Sequence, residues 1–187
     1  MQRCAWVNLK NELYVRYHDE EWGVRCENDQ ELYELLILES FQAGLSWECV
    51  LNKREAFRVA FEGFSPTRVA DFDDKKVEEL LADKGIIRCK QKILAAINNT
   101  KIFLSIKAEY KSFKAYLEGF AGEKTVYEPY TLRTTSPLSD MISKDLKKRG
   151  MKYVGSTIIY SYLQAIGIIN GHGCECELCK APKTQRM

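Results

Sequence analysis

The chain has 187 residues, 45% of them hydrophobic, enough for one domain with a real core and no need of a disulfide or metal staple for folding. Lys and Arg total 28 against 26 Asp and Glu, a net charge of +2, so any basic surface must be local. The polar start MQRCAWVNLKNELY lacks the apolar run of a signal peptide, and no stretch approaches the roughly 18 apolar residues of a membrane span, so the expected compartment is the cytoplasm, with no membrane partner.

The first segment, CAWVNLKNELYVRYHDEEWG, gathers Trp6, Tyr14, Tyr17 and Trp22 with Cys4 and His18. The aromatic residues do not keep one helical period, which suits either a lid on the core or walls that stack a flat ligand. Asn28 and Glu31 have the spacing of a capping box ahead of Leu32, Leu35, Leu36 and Phe41, and predict a helix over 30–43. Glu39 sits inside that helix beside the apolar stripe. A carboxylate there is costly to bury without a cation or several donors, and the period alone equally permits it to point outward. Ser46 caps a predicted second helix carrying Trp47, Val50, Leu51 and Phe57, and SPTRVADF reads as a cap, a Pro at the first helical position and a short helix.

DDKKVEELLADKG puts Val77, Leu80 and Leu81 on one face and stops at Gly85, and a longer helix follows with Ile93, Leu94, Ile97 and Leu104 as its expected apolar side. Together they form a helix-hairpin-helix pattern over about 77–105, and positions 84–92 hold Lys84, Arg88, Lys90 and Lys92 with no acid. Such a pattern suits a duplex backbone: Gly85 lets the main chain approach a phosphate, the second helix offers free N–H groups, and Arg88, Lys90 and Lys92 attract phosphate whatever the base sequence. An ordinary helical hairpin with a solvated charged face carries the same signature.

After a short helix near 112–119, AGEKTVYEPYTLRTTSP has turn and β-branched residues without a period and reads as an irregular crossover. LSDMISKDLKKRG is a predicted helix closed at Gly150. GSTIIYSYLQAIG is an apolar helix ending at Gly167 that belongs in the core and carries Ser161. Lys144, Lys147, Lys148, Arg149 and Lys152 make a second basic cluster, and two such clusters in a near-neutral chain point to a footprint on nucleic acid. With no convincing strand alternation and no repeat, the expected class is all-α, in a single unit spanning 1–187.

Seven cysteines in a chain without an export signal argue against a disulfide framework. Cys26, Cys49 and Cys89 stand singly and read as inert thiols. GHGCECELC, residues 171–179, holds three cysteines and one of only two histidines, and looks like a metal site that is either complete in one place or half of a divided one.

The blocks RCAWV, YVRYHDEEWGV, LLILESFQAGLSWECVLNKREAFR, GIIRCKQKI and LKKRGMKYVGSTIIYSYLQAIGIINGH, running from Cys4 to about Cys176, resemble the bacterial DNA-3-methyladenine glycosylase I family. The resemblance implies a monofunctional helix-hairpin-helix DNA glycosylase. Its partner would be double-stranded alkylated DNA, from which it flips and excises 3-methyladenine, releasing the free base and leaving an abasic site. It also implies one structural zinc ion, Zn2+, on Cys4, His18, His172 and Cys176, joining the terminal segments at about 1–25 and 150–180. Two cysteines and two histidines would close a tetrahedral shell around it. That set leaves Cys174 and Cys179 as spare thiols, whereas a local set of His172, Cys174, Cys176 and Cys179 leaves Cys4 and His18 unexplained.

Many hairpin glycosylases carry a catalytic Asp downstream of the hairpin, yet no Asp occurs here between Asp83 and Asp140. The resemblance carries the key carboxylate to Glu39 instead, and places Trp6, Tyr14, Tyr17, Trp22 and Trp47 around the base; Ser161, within the apolar helix, is a further polar candidate. A monomer is expected. The alternative is a zinc-containing DNA-binding protein without activity, which would release no free base from alkylated DNA.

Overall fold

The centre of the molecule is α2, Asp29–Gln42, in which every residue from Leu32 to Phe41 is buried. The computed structural model describes residues 1–128 and 133–179. A helix buried on all sides belongs within a core rather than on its edge, and α2 packs against α3 (Trp47–Leu51), α7 (Lys90–Tyr110), α8 (Phe113–Ala121) and α10 (Ser156–Ala165). Around this group lie α1 (Glu12–Glu20), α4 (Arg54–Ala60), α5 (Pro66–Ala70), α6 (Asp74–Ala82) and α9 (Pro137–Lys148), the last packed along α10. None of the described helices is long and apolar enough to cross a membrane.

The caps account for most helix starts. Asn11, Ser46, Asp73, Ser112 and Ser136 each accept a backbone N–H from the first turn that follows. The capping box expected at 28–31 is half formed: Asn28 accepts from the Gln30 N–H at 2.7 Å, while Glu31 accepts from the Cys26 thiol at 3.4 Å. Asp29 receives the N–H groups of Phe113 and Lys114, at 3.1 and 3.0 Å, and so caps the start of α8 from the start of α2.

Two expectations are corrected. The helix expected from Ser46 through Phe57 is two, because α3 ends at Leu51 and α4 begins at Arg54. On α7 the buried line is Ile93, Ala96, Ile97, Thr100, Phe103 and Ile106, whereas Leu94 is 44% exposed and Leu104 only partly buried. A polar residue holds the core position because the Thr100 hydroxyl meets Tyr33 Oη at 2.6 Å and the Ala96 carbonyl at 2.7 Å.

The chain is mostly helical, with a short ladder beside the helices. Val126–Tyr127 (β1) pairs in parallel with Ile169–Asn170 (β2), too short a ladder to leave an alternating pattern, and it pins the crossover beside α10. Just before β2, Gly167 adopts φ +70°, and a Cβ there would lie 2.2 Å from the Val24 carbonyl carbon, so only glycine lets residues 23–26 run against the end of α10.

Candidate active site and metal centre

Four elements converge on a pocket of about 360 Å³. Three helices each present two side chains one turn apart: Tyr14 and Tyr17 from α1, Glu39 and Gln42 from α2, Ser161 and Gln164 from α10. Trp6 and Trp22 flank α1, Trp47 opens α3, and Arg133 comes from the crossover. The rings support one another: Trp6 lies 5.3 Å from Tyr14 and edge-on at 4.8 Å from Trp22, and Tyr17 lies 5.3 Å from Trp47.

Among the described residues, five buried side-chain polar atoms lack a hydrogen-bond partner, and four of them belong to this pocket: Trp6 Nε1, Trp47 Nε1, Glu39 Oε2 and Gln42 Oε1. Each unsatisfied group costs about 1–3 kcal/mol, so their concentration at one place marks a site awaiting a partner rather than a packing error. Two indole donors and two oxygen acceptors between aromatic faces fit a planar heterocycle that both donates and accepts. Glu39 is 2% exposed, and burial raises its carboxyl well above the ordinary range. Burial also pushes the Tyr14 phenol up to about 12, with Glu48 and Glu39 adding to it, and raises the Tyr17 phenol well above its ordinary value.

Against the outer side of the Trp6 and Trp22 rings lies a second constellation. Cys4, His18, His172 and Cys176 are all buried, and one ligand atom from each falls within 4.8 Å of the others. Cys176 Sγ stands 3.6 Å from His18 Nε2 and 3.4 Å from His172 Nδ1, and Cys4 Sγ stands 3.7 Å from His172 Nδ1. A tetrahedral zinc shell with bonds of about 2.0–2.3 Å has edges of roughly 3.5 Å. The opposite ring nitrogens are oriented from outside: His18 Nδ1 meets Asp19 Oδ1 at 2.8 Å and His172 Nε2 meets the Trp22 carbonyl at 3.1 Å. Asp19 is itself held by Arg3 at 2.6–2.9 Å. Burial pushes the Cys4 thiol up to about 12, so a thiolate here requires a cation beside it, and the donor set fits a metal. Cys174 is exposed and stands outside this group.

Residues 6–180 match the methyladenine glycosylase family. The chain belongs to that family. DNA-3-methyladenine glycosylase 1 of Escherichia coli strain K12 is 43% identical over 182 residues, covering 94% of this chain and 97% of the relative. The DNA-3-methyladenine glycosylase of Haemophilus influenzae is 34% identical over 182 residues, 95% of this chain and 97% of its own length. A crystal structure of 3-methyladenine DNA glycosylase I is similar with a TM-score of 0.90 at 41% identity, covering 95% of this chain and 99% of that one. The Staphylococcus aureus enzyme, whose structure addresses 3-methyladenine recognition, reaches 0.91 at 32% identity, with 98% and 99% covered.

In this methyladenine glycosylase family member, Trp6, Tyr14, Tyr17, Trp22, Glu39, Trp47 and Ser161, all expected around the base, line the one pocket. Gln42, Gln164 and Arg133 were missed. The first two lie one turn beyond Glu39 and Ser161, a spacing that would have found them; Arg133 sits in a segment with no period to place it.

The basic residues divide differently. Gly85 lies in the link between α6 and α7, where its N–H donates to Asp83 Oδ1 at 2.7 Å and its carbonyl accepts from Lys53 Nζ at 3.1 Å. Lys84, Arg88 and Lys90 are exposed there, but Lys92 is not: its ammonium donates to the carbonyls of Phe41 at 2.8 Å and Ala43 at 2.6 Å. The expected phosphate contact is therefore a clamp that closes the C-terminus of α2, the helix bearing Glu39 and Gln42, onto α7. Lys92→Met should cost about 2–3 kcal/mol, seen as a lower urea midpoint at unchanged slope; an unchanged midpoint would show the clamp to be energetically idle.

Arg149 is likewise engaged, pairing with Glu109 and Asp145 and lying over the rings of Tyr110 and Tyr116. Lys144, Lys147, Lys148 and Lys152 remain exposed. The two basic loops adjoin, because Asn98 Nδ2 donates to the Gly150 carbonyl, Asn99 bonds both backbone groups of Lys152, and Tyr153 Oη reaches Gln91.

Proposed function

We infer that this protein excises 3-methyladenine from alkylated DNA by hydrolysing the N-glycosidic bond, releasing the free base. The observation that carries this reading is the concentration of four unpartnered polar atoms around buried Glu39 in an aromatic pocket, in a chain of the methyladenine glycosylase family. Extrusion of the nucleotide costs a few kcal/mol and is least costly for a lesion that pairs badly. The N3-methylated ring is cationic, so it stacks well between aromatic faces and leaves readily. As the bond breaks, its electron pair moves onto the ring and cancels the positive charge, and water adds to the sugar carbon and gives up its proton to solvent; no strong general acid is required.

In this mechanism Glu39 accepts hydrogen bonds from the base, Tyr17 supports it, and its negative charge complements the cationic ring and the positive charge growing on the sugar. Trp6 and Trp47 stack on the base, while Tyr14 and Trp22 hold the walls. Ser161 contributes a polar contact. One zinc ion on Cys4, His18, His172 and Cys176 would join the two ends of the chain and leave the chemistry to the pocket.

The duplex would lie along the joined basic loops, in a helix-hairpin-helix reading of α6 and α7 with Gly85, Arg88 and Lys90 at the backbone. The support for this is that Gln91, next to Lys90, meets Tyr153, next to Lys152, so the two exposed basic segments approach one another. The test is release of free base from methylated duplex DNA, followed for the wild type and for Arg88→Glu with Lys90→Glu. The wild type should release 3-methyladenine. The double variant should lose duplex affinity on all sequences and flatten the salt dependence of binding by about two phosphate contacts. Duplex retention without base release by the wild type would instead identify a binding protein.

A further inference from the structure

Nine of the ten residues that line the pocket are buried or half-buried, and the tenth, Arg133, is exposed, which puts it on the rim. Among the described residues it takes part in no hydrogen bond or ion pair, and its charge acts on the nearby Tyr160 phenol. Glu128, the acid that ends the β1 segment, is engaged by the Tyr160 hydroxyl at 2.9 Å instead. The backbone nearby is well anchored: Ser136, three residues on, is buried and exchanges hydrogen bonds with Ser139 at 2.8 and 3.1 Å as α9 begins.

A cation here is at odds with the rest of the pocket, whose acid and aromatic faces favour a positively charged ring. It is not at odds with what stays outside when a base enters. A flipped base remains tethered to its sugar and two phosphodiesters, which must cross the rim, and a guanidinium matches a phosphate with several parallel donors. We propose that Arg133 anchors a phosphate of the extruded nucleotide, holding the backbone at the pocket mouth while the base occupies the aromatic walls. The proposal rests on the base-excision reading above.

Arg133→Ala, Arg133→Lys and Arg133→Glu test it, with excision from methylated duplex DNA and binding of free 3-methyladenine both measured. Alanine should lower kcat/KM about tenfold at low salt, the value of one charge-assisted contact. It should also reduce the slope of log affinity against log salt by about 0.9. Lysine should retain most of the activity and glutamate should lose more than alanine. Free-base binding should stay within about twofold, because the base itself never touches the rim. Unchanged excision by Arg133→Ala, or an equal loss of free-base binding, overturns the assignment. A wild type that releases no base overturns the excision reading and this assignment with it, whereas an active wild type matched by Arg133→Ala overturns the assignment alone.

Discussion

Glu39→Gln is expected to lower kcat/KM for 3-methyladenine release by about 10²-fold or more, the usual loss when one preorganised electrostatic group is removed, with duplex affinity nearly intact. Gln fills the same volume and still accepts a hydrogen bond, so the loss isolates the charge. The same substitution should stabilise the free protein at neutral pH. Burial raises the Glu39 carboxyl above its ordinary value of 4.5, so above that pH the folded chain holds a proton that the unfolded chain has released. Stability from this group is therefore full below 4.5 and is lost as pH rises through the raised value. The thermal midpoints of wild type and Glu39→Gln should converge at low pH and separate in favour of the variant above it. Excision should run the other way, rising with pH as Glu39 ionises, and that limb should be absent from whatever activity the variant retains. A folded Glu39→Gln protein with wild-type kcat/KM would remove Glu39 from the reaction.

The candidate metal cluster of Cys4, His18, His172 and Cys176 carries the second large effect. Cys4→Ser should abolish stoichiometric zinc and lower the thermal midpoint, while Cys179→Ser should keep the metal. A ligand held at a thousandfold excess over its Kd stabilises by about 4.1 kcal/mol, roughly 8–16 °C in a chain of this size. Chelation of the wild type should reproduce the loss. Retention of zinc by Cys4→Ser together with its loss from Cys179→Ser would instead assign the ion to the C-terminal cysteines alone. Binding of free 3-methyladenine should weaken as well when the centre is emptied, because the Trp6 and Trp22 rings lie against His18 and His172 at 4.7–6.1 Å and are held there by them.

Much of the helical framework was legible because caps and apolar periods are local. Asn28 and Ser46 open α2 and α3 through contacts within a few residues, and α2, α6, α9 and α10 fall close to their expected limits, whereas α1, opened by Asn11, was not among the expected helices. The readings that failed depended on neighbours distant in sequence. Thr100 faces the core because Tyr33 is there to bond it, and Leu94 is displaced outward. Lys92 and Arg149 look like free cations in sequence, but carbonyls of α2 engage the first and Glu109 with Asp145 the second.

By itself the sequence determined the helical class, the residue types able to bind a metal, and, through blocks that resemble a known family, an expected set of base-contacting residues that the fold brings to one pocket. Only the tertiary structure decided that Cys4 and His18 meet His172 and Cys176 across 158 and 168 residues of chain. It alone decided, too, that Glu39 is buried with an oxygen unpartnered, and that Gln42, Gln164 and Arg133 complete the pocket. A helical period states which side chains share a face, but the cost of a buried charge and the identity of its partner depend on what fills the space opposite, and that space is enclosed only when the helices pack.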